Sequence, residues 1–204
     1  MSAALLDNPG CTGREPGSEG KKVGVDLGLS SEEKETLRRI AYEAIRSRCL
    51  GIAPPEIPVD LPRLEEKRGA FVSLHKGGDL RGCIGMIEAR DPLHVTVRNM
   101  AIQAAFGDPR FRPLRPDELE DIELEISVLT PLVRIHDPSA IKIGTHGLFI
   151  RKGYHSGLLL PQVATEHGWD ALQFLEWTCR KAGLPPDAWK APDTEIYVFS
   201  ADIF

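Results

Sequence analysis

No run in this sequence approaches the ~20 consecutive apolar residues that a membrane-crossing helix needs, so no membrane span is expected. Residues Met1 to Gly10 hold neither a cationic stretch nor an apolar segment of secretory length, and a signal peptide is not expected either. Cysteine is sparse: Cys11, Cys49, Cys83 and Cys179 stand 38, 34 and 96 residues apart. None of these gaps is the C-x-x-C spacing of a zinc ribbon or redox pair, and no iron–sulfur cluster motif is present. The six histidines lack the H-x-x-x-H or H-E-x-x-H pairing that sets two imidazoles on one helix face. A self-contained metal site is therefore not expected and no cofactor is implied. The thiols read as reduced, in a cytoplasmic protein. A basic excess is missing too: 25 Lys+Arg against 30 Asp+Glu gives a formal charge of −5, which argues against a nucleic-acid binder.

What remains is an ordinary globular balance, 204 residues with 42 % hydrophobic and 27 % charged, long enough to bury a substantial core. Residues 1–28 hold six of the 19 glycines and no aromatic residue. Such a segment cannot bury enough apolar area to offset its ordering entropy, so it reads as a mobile tail carrying Cys11. Order is expected from Ser30-Ser31-Glu32-Glu33, a capping box, into a helix with Leu37, Ile40, Ala41, Ala44 and Ile45 on one stripe and Gly51 at its end. Pro54, Pro55, Pro58 and Pro62 make an extended connector. Gly69–His75 and Leu80–Ile87 then form a hairpin about Gly77-Gly78.

Asp91-Pro92 reads as an N-cap and first helical residue, opening a helix that buries Val97, Met100, Ala101, Ala104 and Ala105 and ends at Gly107. Residues 122–130 alternate as a half-buried strand. Ile141–Gly144, Leu148–Arg151 and Leu158–Leu160 read as short strands, and a helix starts near Gln162. A further helix runs through Leu172, Leu175, Cys179 and Ala182 to Gly183, and Glu195–Phe204 forms a last strand. Without a regular βαβ repeat, the expected class is α+β with a mostly antiparallel sheet and flanking helices.

Two constellations can carry chemistry. In Leu80-Arg81-Gly82-Cys83-Ile84-Gly85, strand alternation sets Arg81, Cys83 and Gly85 on one side. A guanidinium beside a thiol favours the thiolate, which attacks electrophiles. Gly82 and Gly85 remove side chains where a substrate or another backbone approaches. The plainer alternative makes Cys83 a small buried hydrophobe; Arg81 weighs against it, because arginine is rarely buried without a partner. The second is Asp108-Pro109-Arg110-Phe111-Arg112-Pro113. Here Arg110 is suited to bind an anion, with Asp108 positioning it or acting as a base, or else an Asp–Arg bond merely shapes the loop.

Three further residues read mainly as structural. His155 sits beside Tyr154 at a hairpin tip, and His146 precedes Gly147 where a left-handed backbone suits its type. Gln162, starting a helix, is able to present its amide to a ligand. Trp169, Trp177 and Trp189 read as packing residues.

The hexapeptide Leu80–Gly85 resembles the defining motif of the AMMECR-domain family. Further likeness lies in Ala104-Ala105-Phe106-Gly107-Asp108-Pro109-Arg110-Phe111, Ile126-Ser127-Val128-Leu129-Thr130, Leu160-Pro161-Gln162-Val163-Ala164 with Trp169-Asp170, and Lys181-Ala182-Gly183-Leu184-Pro185. The resemblance covers residues 29–204 and leaves 1–28 outside. The Leu-Pro-Gln-Val block and the Lys-Ala-Gly-Leu-Pro ending are most similar to the bacterial branch called AmmeMemoRadiSam system protein A. The resemblance implies two lobes of unequal size with motif residues near a cleft between them. It also implies two partners, a Memo-type protein and a radical-SAM protein. This chain lacks the C-x-x-x-C-x-x-C ligands of radical-SAM chemistry, which would fall to the partner.

Three functions compete. One uses Cys83 as thiolate nucleophile or carrier, with Arg81 stabilising it and Asp108, Arg110, Gly82, Gly85, Gln162 and His155 at an anionic substrate. Another is a non-catalytic adaptor or substrate-presenting partner whose arginines anchor contacts. The third, a cargo-binding module, requires several of Cys83, His146, His155 and Asp108 to converge.

Overall fold

The computed structural model describes residues 24–88 and 90–204. Cys11 and most of the expected tail lie outside them. Residues 24–28 are held by backbone hydrogen bonds: Gly24 N–H donates to the Gly144 carbonyl (3.1 Å) and Val25 N–H to that of Ala201 (2.9 Å). Leu27 N–H donates to the Asp202 carboxylate at 3.2 Å.

Helix α1, Ser31–Leu50, begins as its capping box requires, with Ser30 and Glu33 exchanging side-chain to backbone bonds. It ends at Gly51, whose φ of 67° gives the left-handed cap that a residue without Cβ adopts at little cost. Strands β1 (Ala70–Lys76) and β2 (Asp79–Met86) form the expected hairpin about Gly77-Gly78. Helix α2 spans Leu93–Phe106, but Asp91 does not cap it. Pro92 is the N-cap residue, and the first helical N–H, of Leu93, donates to the Glu66 carbonyl at 2.9 Å. Strand β3, Ile122–Leu129, follows.

The second half differs more from expectation. Ile141–Gly144 forms no strand: a 3-10 turn at Pro138–Ala140 leads into a turn at 143–145, and a short strand not expected from the sequence, β4, occupies Val133–Ile135. Strands β5 (Gly147–Lys152) and β6 (His155–Leu159) form a hairpin, followed by α3 (Pro161–Glu166) and α4 (Ala171–Lys181). The terminal run breaks at Ser200 into β7 (Glu195–Phe199) and β8 (Ala201–Ile203), which join different sheets.

The described residues divide into two compact units, 26–129 with 202–204, and 24–25 with 130–201. The first contains the sheet β2-β1-β3-β8 and the second the sheet β4-β7-β5-β6. Both are built of antiparallel pairs with helices against them, an α+β architecture as expected.

In the first unit, alternation divides the sheet cleanly. Val72, Leu74, Ile84, Ile126 and Val128 face α1 and α2 in one core with Leu37, Ile45, Val97 and Ala101. Phe71, Ser73, Cys83, Glu125 and Ser127 occupy the opposite face, in register with one another. In the second unit Leu172, expected on the buried stripe of α4, is half exposed; Phe174, Leu175, Thr178 and Cys179 take that stripe. Trp177 packs against Trp169 in a parallel stack with centroids 5.2 Å apart.

Gly82 allows α2 to approach β2. A Cβ there would lie 2.2 Å from the Ala104 carbonyl oxygen, inside any tolerable contact. Gly82→Ala should therefore force helix from strand and cost about 1–3 kcal/mol, as overpacking typically does. The urea midpoint measures this: a clear fall is expected, and an unchanged midpoint contradicts the close approach.

Candidate functional site

Among the described residues strand β2 is an edge, paired on one side only, so half of its backbone groups need partners from elsewhere. The loop after α2 supplies them. The Cys83 N–H donates to Asp108 Oδ2 at 2.9 Å, and Arg110 Nη2 donates to the Cys83 carbonyl at 3.4 Å. Two side chains thus satisfy one residue of an open edge, in the manner of an adjoining strand. Asp108 in turn accepts from the Arg110 N–H (3.1 Å), Nε (3.0 Å) and Nη2 (2.7 Å). Its residue is only 4 % exposed. Burial alone would push the Asp108 pKa up, but the Arg110 side chain and the Cys83 and Arg110 amides outweigh it and hold the carboxyl below its ordinary range. A carboxylate so engaged is a poor base.

The sulfur of Cys83 is half-buried and accepts a hydrogen bond from Ser73 Oγ at 3.2 Å across the β1–β2 pair. Burial raises its pKa, with smaller upward contributions from Asp108 and Glu125. The Ser73 bond and Arg110 act downward and do not offset them. The thiol is therefore protonated at neutral pH.

Arg81 does not stabilise it. The β1–β2 register passes over Arg81, with Leu74 opposite Gly82 and His75 opposite Leu80. Such a bulge breaks strict alternation and re-aims a side chain. The guanidinium forks onto Glu118, Nε to Oε1 and Nη2 to Oε2, both at 3.0 Å. That pairing pulls the Glu118 pKa down to about 2. The expectation that Arg81 and Cys83 form a thiolate pair is corrected here: the arginine found a carboxylate 37 residues away.

Of the other candidates, Gly82 meets the Ala104 backbone rather than a substrate, and Gly85 lies under Phe71, whose ring would stand 2.1 Å from an added Cβ. His155 and Gln162 belong to the second unit. Tyr154 takes the hairpin tip; His155 is the first residue of β6, its Nδ1 3.3 Å from the Ala182 carbonyl oxygen. The Gln162 amide oxygen is buried and has no hydrogen-bond partner among the described residues. His146 does not adopt a left-handed backbone, which falls to Gly144. Its Nδ1 accepts from the Lys142 N–H at 3.3 Å, and burial first, then Lys142, lowers its pKa, so the ring stays neutral. Among the described residues no three His, Cys, Asp or Glu converge as metal ligands, and the convergence a cargo module requires is absent there.

The structure thus unites Cys83, Asp108 and Arg110 and turns Arg81 aside. Ser73 and Glu118 were missed by sequence reading. Arg81 itself was the signal for Glu118, since a partly buried arginine requires a carboxylate.

The motif strand clipped by an Asp–Arg loop lies within the part of the chain that comparisons assign to a known α+β family. The chain belongs to the AMMECR1 family, whose model matches residues 38–204. A protein of Methanothermobacter thermautotrophicus is 49 % identical over 183 residues, covering 86 % of this chain and 95 % of its own. Protein MK0488 of Methanopyrus kandleri is 49 % identical over 185 residues, covering 86 % of this chain and 89 % of its own. The crystal structure of the uncharacterized protein PH0010 from Pyrococcus horikoshii is similar at TM-score 0.80 and 43 % identity, over 86 % of this chain and 92 % of that one.

The depressed Glu118 pKa, about 2 against 4.5, fixes a sign. A carboxyl whose folded pKa is lowered contributes stability above its unfolded pKa and loses it as pH falls toward the folded value. Urea midpoints should therefore fall between about pH 4.5 and 2. Glu118→Gln should start lower and show a shallower fall across that window; identical slopes would contradict the pairing.

Proposed function

We propose that this chain is a non-catalytic, substrate-presenting component of an AmmeMemoRadiSam-type multi-protein modification pathway, acting with a Memo-type protein and a radical-SAM protein. Family membership supports the setting. The observation that carries the non-catalytic reading is the commitment of Arg81 to Glu118 and of Asp108 to the Cys83 amide, while burial pushes the Cys83 thiol pKa up. A nucleophilic cysteine works as its thiolate, and here burial outweighs the groups that favour one. Radical chemistry belongs to the partner, since this sequence has no cluster-binding cysteine motif.

A second reading keeps Cys83 as nucleophile or carrier. The Ser73 hydrogen bond and the nearby Arg110 charge favour it, because both stabilise the thiolate over the thiol.

Alkylation of Cys83 by iodoacetamide, followed site by site against pH, separates the two. Slower reaction than a free thiol at neutral pH is expected, and Cys83→Ser should retain partner binding by calorimetry and pathway turnover. Faster reaction, joined to lost turnover in a folded, partner-binding Cys83→Ser, would overturn the presenting role.

A further inference from the structure

A pocket of about 290 Å³ is lined by Lys76, Arg81, Arg112, Pro113, Arg115 and Glu118. We propose that this pocket binds the phosphate group of a small molecule. The inference is independent of the presenting role, since it rests on these residues alone.

Four cations line the space against one carboxylate. Three of the four are partly balanced. Arg81 and Lys76 share Glu118, Lys76 also reaches Asp121 at 3.4 Å, and Arg115 pairs with Asp117. Arg112 is exposed and makes no hydrogen bond or ion pair among the described residues. A planar guanidinium with all five donors open, between Phe111 and Pro113, is suited to fork onto an oxyanion.

The neighbouring donors are also incompletely used. Arg81 directs Nε and Nη2 to Glu118 and the Pro113 carbonyl, and its Nη1 has no partner among the described residues. Glu118 thus fixes the Arg81 fork while leaving one nitrogen for a ligand. The ion pair also relieves repulsion among the four cations.

Shape selects the anion. Lys76 ends β1, Arg81 lies on β2, and Arg112 and Arg115 come from the loop between α2 and β3. Donors arriving from three segments suit a tetrahedral group with oxygens in several directions, whereas a carboxylate offers two oxygens in one plane. The volume lies near the lower end of the ~300–1,000 Å³ range of ligand pockets, which favours a small phosphorylated molecule over an extended chain.

The test titrates the full chain with inorganic phosphate and with free phosphoserine, at constant ionic strength, with acetate as control. Saturable binding of one phosphate is expected. Arg112→Gln, at an exposed position, should leave the circular dichroism spectrum unchanged and weaken binding roughly 10- to 100-fold, the loss of a charge-assisted contact. Arg112→Lys should recover part of it. Three results would overturn the proposal: no saturable phosphate binding, phosphate affinity unaffected by Arg112→Gln, or acetate binding as tightly as phosphate. A phosphoserine peptide binding more than about tenfold tighter than free phosphoserine would overturn the small-molecule assignment in favour of a protein ligand.

Discussion

The interaction on which the motif region depends is the one between the Asp108 carboxylate and the backbone N–H of Cys83. An edge strand exposes a row of unsatisfied donors and acceptors, which invite pairing with another chain. Here a buried carboxylate and a guanidinium satisfy one residue of that edge, and the carboxylate is itself held by three Arg110 donors. Hydrogen bonds to a charged group contribute roughly 1.5–3 kcal/mol each, enough to hold a proline-bounded loop in one place. Burying a lone carboxylate would be costly; burying one with four donors is not.

From this clip follow the roles of the residues around it. Gly82 must lack a side chain because α2 lies against it, and Gly85 because Phe71 covers it. Cys83 lends the loop its backbone while its sulfur faces Ser73 on the side of the sheet away from the core. Arg81, displaced by the bulge, fixes the 3-10 turn at Pro116–Glu118 to the strand. A motif that reads as a reactive centre is largely invested in joining a helix, a strand edge and a loop.

Much of this was legible in the sequence. The capping box at Ser30, the hairpin about Gly77-Gly78 and the alternation of residues 122–130 are local patterns, and local physics forms them. Cys83, Asp108 and Arg110 were legible as parts of one substrate site, but the hydrogen bonds that join their two constellations were not. What failed was non-local. The Arg81–Glu118 pair spans 37 residues, and a one-residue bulge cancels the alternation that had placed Arg81 beside the sulfur. The break at Ser200 escaped notice because apolar residues, Phe199 and Ala201, flank it on both sides, while β7 and β8 serve different sheets. Ile141–Gly144 resembles a strand in composition, yet its N–H groups bond locally, Ile141 to the Pro138 carbonyl and Lys142 to His146 Nδ1.

The central claim is that the motif strand is held by a side-chain clip and not poised as a thiolate. Hydrogen exchange at the single amide of Cys83 tests it most directly. Protection of that amide in the native protein, lost in Asp108→Ala while the amides of β1 and β3 remain protected, is the predicted result. A Cys83 amide that exchanges as fast in the native protein as in Asp108→Ala would contradict the account.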